Sequence, residues 1–211
     1  MTLTDLTPVL DAALRPWCAR LAQRGFTAGM VTVAGTTLCL GVGALVAAAG
    51  GRWYVVFLAF LALLARAAAC RSSALLVQEY GQGSAFVTLL REVGGLVSEI
   101  ALFWPLAAVG GIESWLVALS CLLSLLTEFV GTVVGSIGAG RRQDGPMDAT
   151  TRAWALGVLC LLLGVGIGPG WWVSLWLQVL PFLLGWTILR RLRGALAEVE
   201  PPAQGAEPTG E

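Results

Sequence analysis

The sequence predicts an all-α integral membrane protein with six transmembrane helices, preceded by an amphipathic helix at the membrane interface. Three observations support this prediction. The 211-residue chain is 57% hydrophobic and only 12% charged, whereas soluble domains average about 25% charged residues. Apolar stretches of helical length follow one another along the chain, and the arginines cluster between alternate stretches. Lipid is therefore the expected solvent for most of this surface.

Each predicted span has about the number of apolar residues that a membrane helix needs. A helix that crosses about 30 Å of hydrocarbon requires roughly 20 residues. Because the hydrocarbon offers backbone groups no hydrogen-bond partner, each span is expected to be α-helical. The six stretches cover residues 30–49, 53–70, 93–109, 114–138, 153–168 and 171–189.

The arginines indicate the orientation. With six spans, ten arginines fall on one side of the membrane and Arg52 falls on the other. Arginine-rich loops face the cytoplasm, so both termini are expected to be cytoplasmic. The ten are Arg15, Arg20, Arg24, Arg71, Arg141, Arg142, Arg152, Arg190, Arg191 and Arg193.

Two flanking segments complete the predicted organisation. Residues 1–29 form a cytoplasmic interfacial segment, in which Leu6, Val9, Leu10, Ala13, Trp17 and Leu21 repeat at helical spacing. Such a helix lies in the membrane interface, although a plain topology anchor would have the same pattern. Residues 30–195 form the transmembrane domain. Residues 196–211 are acidic and rich in proline and glycine, which predicts a disordered cytoplasmic tail.

Composition excludes several functions. The chain has no histidine, so it lacks the commonest metal ligand and general base. Its five cysteines are widely spaced, which indicates neither a zinc site nor a disulfide framework. The net charge is zero, and no nucleic-acid partner is expected.

A few charged residues lie in or beside the predicted spans, and they are the candidate pocket residues. Two interpretations stay open: a functional pocket, or Arg–Glu pairs that hold the helices together. Glu92 and Glu99 share a helix face but lie about 10 Å apart along the axis, too far to chelate one ion. The candidates are Glu79, Arg91, Glu92, Glu99 and Glu128, with Arg66 near the end of the second span.

Four segments resemble one enzyme family. Residues 21–35 read LAQRGFTAGMVTVAG, residues 78–107 read QEYGQGSAFVTLLREVGGLVSEIALFWPLA, residues 140–147 read GRRQDGPM, and residues 186–196 read WTILRRLRGAL. In order and spacing they are similar to a bacterial branch of the CDP-alcohol phosphatidyltransferases, over roughly residues 6 to 195. The resemblance implies a location in a bacterial cytoplasmic membrane.

The resemblance implies an activity and a metal. Members of that family move a phosphatidyl group from a CDP-linked donor to an alcohol and release CMP. Their signature, DxxDGxxAR followed by GxxxDxxxD, supplies four aspartates that hold Mg²⁺ or another divalent cation. Metal ions neutralise the charge of a diphosphate leaving group, and hard cations require clustered carboxylates.

This sequence has none of the eight signature residues. The four aspartate positions hold Cys70, Ser73, Arg91 and Gly95, and the other four positions hold Ala74, Val77, Gln78 and Val87. No aspartate occurs between residues 12 and 143. A cation at position 91 would repel a dication, by about 4 kcal/mol per unit charge pair at 4 Å and an effective dielectric of 20.

Arginine also suits a phosphate, so Arg91, Arg141 and Arg142 are candidate phosphate-binding residues, although Arg91 could equally pair with a glutamate. The favoured interpretation is that the protein descends from enzymes of phospholipid biosynthesis in this family but is a pseudoenzyme. It would bind lipid or serve as a partner subunit, and it would need no metal cofactor.

One alternative is an active transferase that uses Mg²⁺ or Mn²⁺ in a site rebuilt from glutamates. Another is an unrelated small transporter, which would be expected to have internal repeats. The expected partners are membrane lipids, with a homodimer or a heteromer with an active paralogue.

Overall fold

The computed structural model describes residues 7–136 and 146–199, and all regular structure within these ranges is helical. This confirms the all-α class. A short 3₁₀ helix, Trp104–Ala108, follows the fourth helix. The α-helices are α1 (Thr7–Gln23), α2 (Ala28–Ala48), α3 (Trp53–Tyr80), α4 (Ala85–Phe103), α5 (Ser114–Ser136), α6 (Ala149–Gly164) and α7 (Trp171–Val199).

Four of these helices are long and apolar enough to cross a membrane. They contain the stretches Ala28–Ala48, Trp53–Tyr80, Ser114–Val134 and Trp171–Glu198. Helix α6 is apolar but has only 16 residues, or about 24 Å. Helix α4 has 19 residues, three of which are charged. The chain is thus an integral membrane protein, while the count of six spans stays a prediction.

Several helices extend beyond the predicted spans. Helix α3 continues past Cys70 to Tyr80, and α7 continues past Leu189 to Val199. Helix α4 begins at Ala85, earlier than the predicted third span. An apolar run in the sequence marks only the part of a helix that faces lipid, so it does not predict a polar extension of the same helix. Residues 196–199 of the predicted disordered tail instead belong to α7, which extends the helix that precedes them. The rest of the predicted tail and the arginines at positions 141 and 142 lie outside the described residues.

The chain divides into two compact units. The first lies within Met1–Ile112 and Leu156–Pro169, and the second lies within Glu113–Ala155 and Gly170–Glu211. The predicted division into residues 1–29, 30–195 and 196–211 concerns position relative to the membrane and stays a prediction.

Small residues set the helix spacing in the first unit. A Cβ atom at Gly43 of α2 would collide with the carbonyl oxygen of Ala101 on α4. A Cβ atom at Gly164 of α6 would lie 2.7 Å from the Cα atom of Phe57 on α3. Glycine permits such close approach of membrane helices. These contacts leave little freedom in how α2 meets α4 and how α3 meets the end of α6.

Helix α1 packs on the C-terminal part of α3. The thiol of Cys18 is fully buried there, and it clusters with Leu75 and Leu76. Trp17 is instead 61% exposed, so this residue of the predicted apolar stripe does not face α3. An exposed tryptophan suits a helix at the membrane interface, and that location stays a prediction.

Two ion pairs also join α1 to α3. Asp11 accepts from Arg71 Nη2 at 2.6 Å, and Glu79 accepts from Arg15 Nε at 2.9 Å. Pairs this exposed stabilise a fold by at most about 1 kcal/mol each. Their main effect is to set the register of α1 along α3.

Replacing Gly43 by alanine should destabilise the protein by about 1–3 kcal/mol, because the added methyl group forces the α2 and α4 backbones apart. The change can be measured as a lower thermal unfolding midpoint in detergent micelles. Gly41→Ala is the matched control, since a Cβ atom at Gly41 meets nothing within 4 Å. Equal midpoints for the two variants would contradict this account of the packing.

Candidate functional site

The N-terminus of α2 is held by its own cap and by the connection after α3. Thr27 Oγ1 accepts from the backbone N–H of Met30 at 3.2 Å. The side-chain oxygen of Gln82 accepts from the N–H of Ala28 at 2.7 Å. Together they satisfy two of the free N–H groups that every helix start leaves. The α3–α4 connection is therefore tied to the start of α2.

One turn further along α2, a buried triangle of oxygen atoms joins α2 to α3. Ser73 Oγ donates to the carbonyl oxygen of Ala28 at 3.1 Å, and Thr32 Oγ1 donates to Ser73 Oγ at 3.0 Å. Thr32 Oγ1 also lies 2.9 Å from the Ala28 carbonyl oxygen. Thr32 and Ser73 are both fully buried. Their hydroxyl groups are therefore used in joining the two helices.

Arg66 is the buried charge of the first unit. It lies on α3, one turn before Cys70, and is only 6% exposed. No acceptor in the described chain lies within hydrogen-bonding distance of Nη1 or Nη2. A buried guanidinium normally has several such partners. The side chain is thus held among the helices without a counter-charge bonded to either nitrogen.

Glycines on both neighbouring helices make room for this guanidinium. A Cβ atom at Gly35 of α2 would lie 3.6 Å from Arg66 Nη1. On α4, Cβ atoms at Gly94 and Gly95 would lie 3.6 and 3.8 Å from Nη2. Larger side chains at these positions would extend toward the guanidinium. The backbones of α2 and α4 therefore flank the charged group.

A further polar group lines the same region. The hydroxyl of Ser98 donates to the carbonyl oxygen of Gly94 at 2.6 Å, and Thr36 donates to the Thr32 carbonyl oxygen at 3.0 Å. Both serine and threonine bond back to their own helix, as is usual in membrane helices. Their hydroxyl oxygens keep lone pairs, but neither bonds to Arg66.

The predicted pocket residues lie on three different helices, α3, α4 and α5. Glu79 pairs with Arg15 near the end of α3. Arg91, Glu92 and Glu99 are half-buried on α4. Within the described ranges, no three carboxylate or thiol groups converge closely enough to hold a metal ion. That these residues form a pocket remains a prediction.

Glu128 belongs to the second unit and pairs with Arg152. Its Oε1 accepts from Arg152 Nη2 at 2.8 Å, and Arg152 is only 3% exposed. Nearby, Arg191 Nη1 donates to the carbonyl oxygen of Thr127 at 2.6 Å. These two contacts join α5 to α6 and α5 to α7. The geometry is that of an ion pair linking helices.

Sequence reasoning noted Arg66 but left it out of the candidate site. A single charge in an apolar stretch was the available signal. The glycines that flank it lie about 30 residues away on either side, at positions 35, 94 and 95. Their meeting depends on how three helices are packed, which no local pattern encodes.

Breaking the Glu128–Arg152 pair should destabilise the protein by about 3–5 kcal/mol, because either Glu128→Leu or Arg152→Met removes one partner of a buried ion pair. The double variant should lose less than the sum of the single losses. A double-mutant cycle on unfolding in detergent measures this coupling. The exposed pair of Arg15 and Glu79 is the control, with an expected coupling of at most about 1 kcal/mol; additive losses at Glu128 and Arg152 would contradict the prediction.

Comparison with known proteins defines the family. No protein-family model matches the chain. The inner membrane protein YnbA of Escherichia coli K12 is 31% identical over 199 residues, which cover 93% of this chain and 97% of YnbA. Two structures of the Mycobacterium tuberculosis phosphatidylinositol phosphate synthase, one with manganese and citrate and one with CDP-DAG bound, superpose with a TM-score of 0.72.

These superpositions cover 91% of this chain, and 92% and 96% of the synthase chains, at 16% identity. They show the fold, whereas the similarity to YnbA shows the closer kinship. Together they confirm the resemblance seen in the four sequence segments. The chain belongs to the same family as YnbA and has the fold of a phosphatidylinositol phosphate synthase, the fold that the resemblance implied.

Proposed function

We propose that this protein keeps the CDP-alcohol phosphatidyltransferase fold without metal-dependent transfer, and that it serves as a lipid-binding or partner subunit. One observation carries the proposal: the side chains at the four signature aspartate positions cannot bind a dication. Cys70, Ser73, Arg91 and Gly95 occupy these positions. They offer a thiol, a hydroxyl, a guanidinium and no side chain at all.

The surroundings of these positions also disfavour a divalent cation. Ser73 Oγ already donates to Ala28 and accepts from Thr32. A Cβ atom at Gly95 would lie 3.8 Å from the guanidinium of Arg66. Hard cations require several oxygen ligands, preferably carboxylates, and a fixed positive charge repels them. The residues present therefore do not fit Mg²⁺ or Mn²⁺.

The alternative is an active transferase whose site is rebuilt from Glu79, Glu92 and Glu99. Glu92 and Glu99 lie about 10 Å apart along α4. Glu79 lies close to the end of α3 and bonds to Arg15. One ion cannot bind all three carboxylates without a large rearrangement. The spacing supports the non-catalytic proposal over this alternative.

The lipid part of the proposal rests on the fold. The structurally similar synthase was solved with CDP-DAG bound, so this helix arrangement can accommodate a diacyl lipid with a phosphate-bearing headgroup. Membrane lipids are the proposed ligands. A homodimer, or a heteromer with an active paralogue, is the proposed assembly.

The purified protein should release no CMP from CDP-diacylglycerol with Mg²⁺ or Mn²⁺ and a panel of alcohols. Arg91→Asp combined with Gly95→Asp should remain inactive, because positions 70 and 73 still lack carboxylates. The M. tuberculosis synthase, assayed alongside, shows that the conditions support transfer. Metal-dependent CMP release by the unaltered protein would reject the proposal.

We also propose six spans with both termini in the cytoplasm of a bacterial cell. Helices α4 and α6 would then cross the membrane although one is charged and the other is short. Alkaline phosphatase inserted at Gly50, Gly110 or Gly168 should be active, because these connections would face the periplasm. The same reporter after residue 199 should be inactive; activity there would refute the topology.

A further inference from the structure

We propose that the buried guanidinium of Arg66 binds the phosphate of a lipid headgroup, and so takes over the charge-neutralising task that a metal performs in metal-dependent members of the family. The inference rests on the lipid-binding part of the proposed function and names the group that would be bound. It does not depend on whether the protein has a partner subunit.

The first argument is the missing counter-charge. Arg66 is 94% buried, and neither of its terminal nitrogens has a hydrogen-bond acceptor in the described chain. Removing a charge from water is costly unless an opposite charge and hydrogen bonds compensate. Arg152, which is also buried, has Glu128 at 2.8 Å. Arg66 therefore requires an anion from outside the described chain.

The second argument is space. Three glycines border the guanidinium, Gly35 on α2 and Gly94 and Gly95 on α4. Large side chains at these positions would take up space beside Nη1 and Nη2. Cys70 and Gly95 are half-buried, so this level of α3 and α4 is not fully closed to the surroundings.

The third argument is the position in the fold. Gly95 stands where the family signature has its fourth aspartate, and Cys70 stands where it has the first. Arg66 is one turn from Cys70, or about 6 Å along the helix axis. Carboxylates at these positions would hold a cation that in turn holds a phosphate. Here a cationic side chain is already present, so a phosphate can bind to the protein directly.

The chemistry of the ligand follows from the guanidinium. Its planar pair of N–H groups matches two oxygens of a phosphate, and such bidentate bonds are among the strongest in proteins. Arg66 lies one turn before Cys70, where the second predicted span ends, or about 6 Å from that end along the helix. Lipid phosphates lie at the ends of membrane spans, which favours a headgroup as the source of the phosphate.

The test compares thermal unfolding midpoints in an uncharged detergent. Phosphatidic acid should raise the midpoint of the unaltered protein by about 5–10 °C at a hundredfold excess over Kd. Diacylglycerol, which lacks the phosphate, should leave it unchanged, and so should inorganic phosphate. An equal shift with inorganic phosphate would overturn the assignment to a lipid.

Arg66→Met is the decisive variant. Without lipid it should unfold at the same or a higher temperature than the unaltered protein, because it removes an unpaired buried charge. With phosphatidic acid its midpoint should not rise, since the apparent affinity should fall at least about tenfold. A midpoint that rises as much as in the unaltered protein would overturn the inference. A large loss of stability without lipid would also overturn it, because it would mean that Arg66 has a structural partner.

Gly95→Asp provides an independent variant that keeps the arginine. Its carboxylate would lie next to Arg66 Nη2 and pair with it, so the response to phosphatidic acid should disappear while the fold persists. Arg15→Met, which removes an exposed arginine of α1, is the matched control and should respond normally. CMP release tests the proposed function separately from this inference. An active transferase could still bind a lipid phosphate through Arg66, and a protein without transferase activity could still fail to bind one.

Discussion

The low dielectric of the membrane interior is the constraint on which the rest of this structure depends. A charge there is costly unless an opposite charge and hydrogen bonds compensate for lost water. The chain meets this constraint in two ways. Arg152 pairs with Glu128 in the second unit, and near the end of α3 the exposed arginines pair with acids of α1 and α3. Among the buried arginines of the described chain, Arg66 is the one whose terminal nitrogens have no bonded acceptor. That contrast, within one molecule, makes it the residue whose charge still needs an explanation.

Glycine has two effects on the packing around that charge. At Gly43 and Gly164 the missing side chain lets one helix touch the backbone of another. Gly94 also permits close packing, since a Cβ atom there would lie 2.7 Å from Thr36 Oγ1. Gly35, Gly94 and Gly95 in addition leave room for the guanidinium of Arg66. The same residue type therefore brings the helices together and accommodates a charged side chain between them.

The sequence was sufficient to predict the helices but not their meeting points. Apolar runs located α2, α3, α5 and α7 because the hydrophobic effect acts on each segment separately. They missed the polar end of α3 beyond Cys70, since a helix held by α1 and by its own hydrogen bonds needs no apolar face toward lipid.

The candidate site was harder to predict than the helices. The loss of the signature aspartates could be read directly, whereas the approach of Arg66 to Gly95 depends on the register of α3 against α4. The sequence also did not indicate which face of α1 packs on α3, where Cys18 is buried and Trp17 is exposed.

A guanidinium and a divalent cation are not equivalent beside a phosphate, and the difference bears on function. Both neutralise charge. A metal ion also coordinates the attacking and leaving oxygens and lowers the pKa of a bound hydroxyl group, whereas an arginine stays protonated and only donates hydrogen bonds. A site that exchanges carboxylates and metal for Arg66 would thus keep the affinity for a phosphate while it loses the means to transfer one. Tight ground-state binding without stronger binding of the transition state does not accelerate a reaction. Holding a lipid headgroup, as the proposal has it, is therefore what the residues around Arg66 are chemically equipped to do, and transfer would require acids that these positions do not contain.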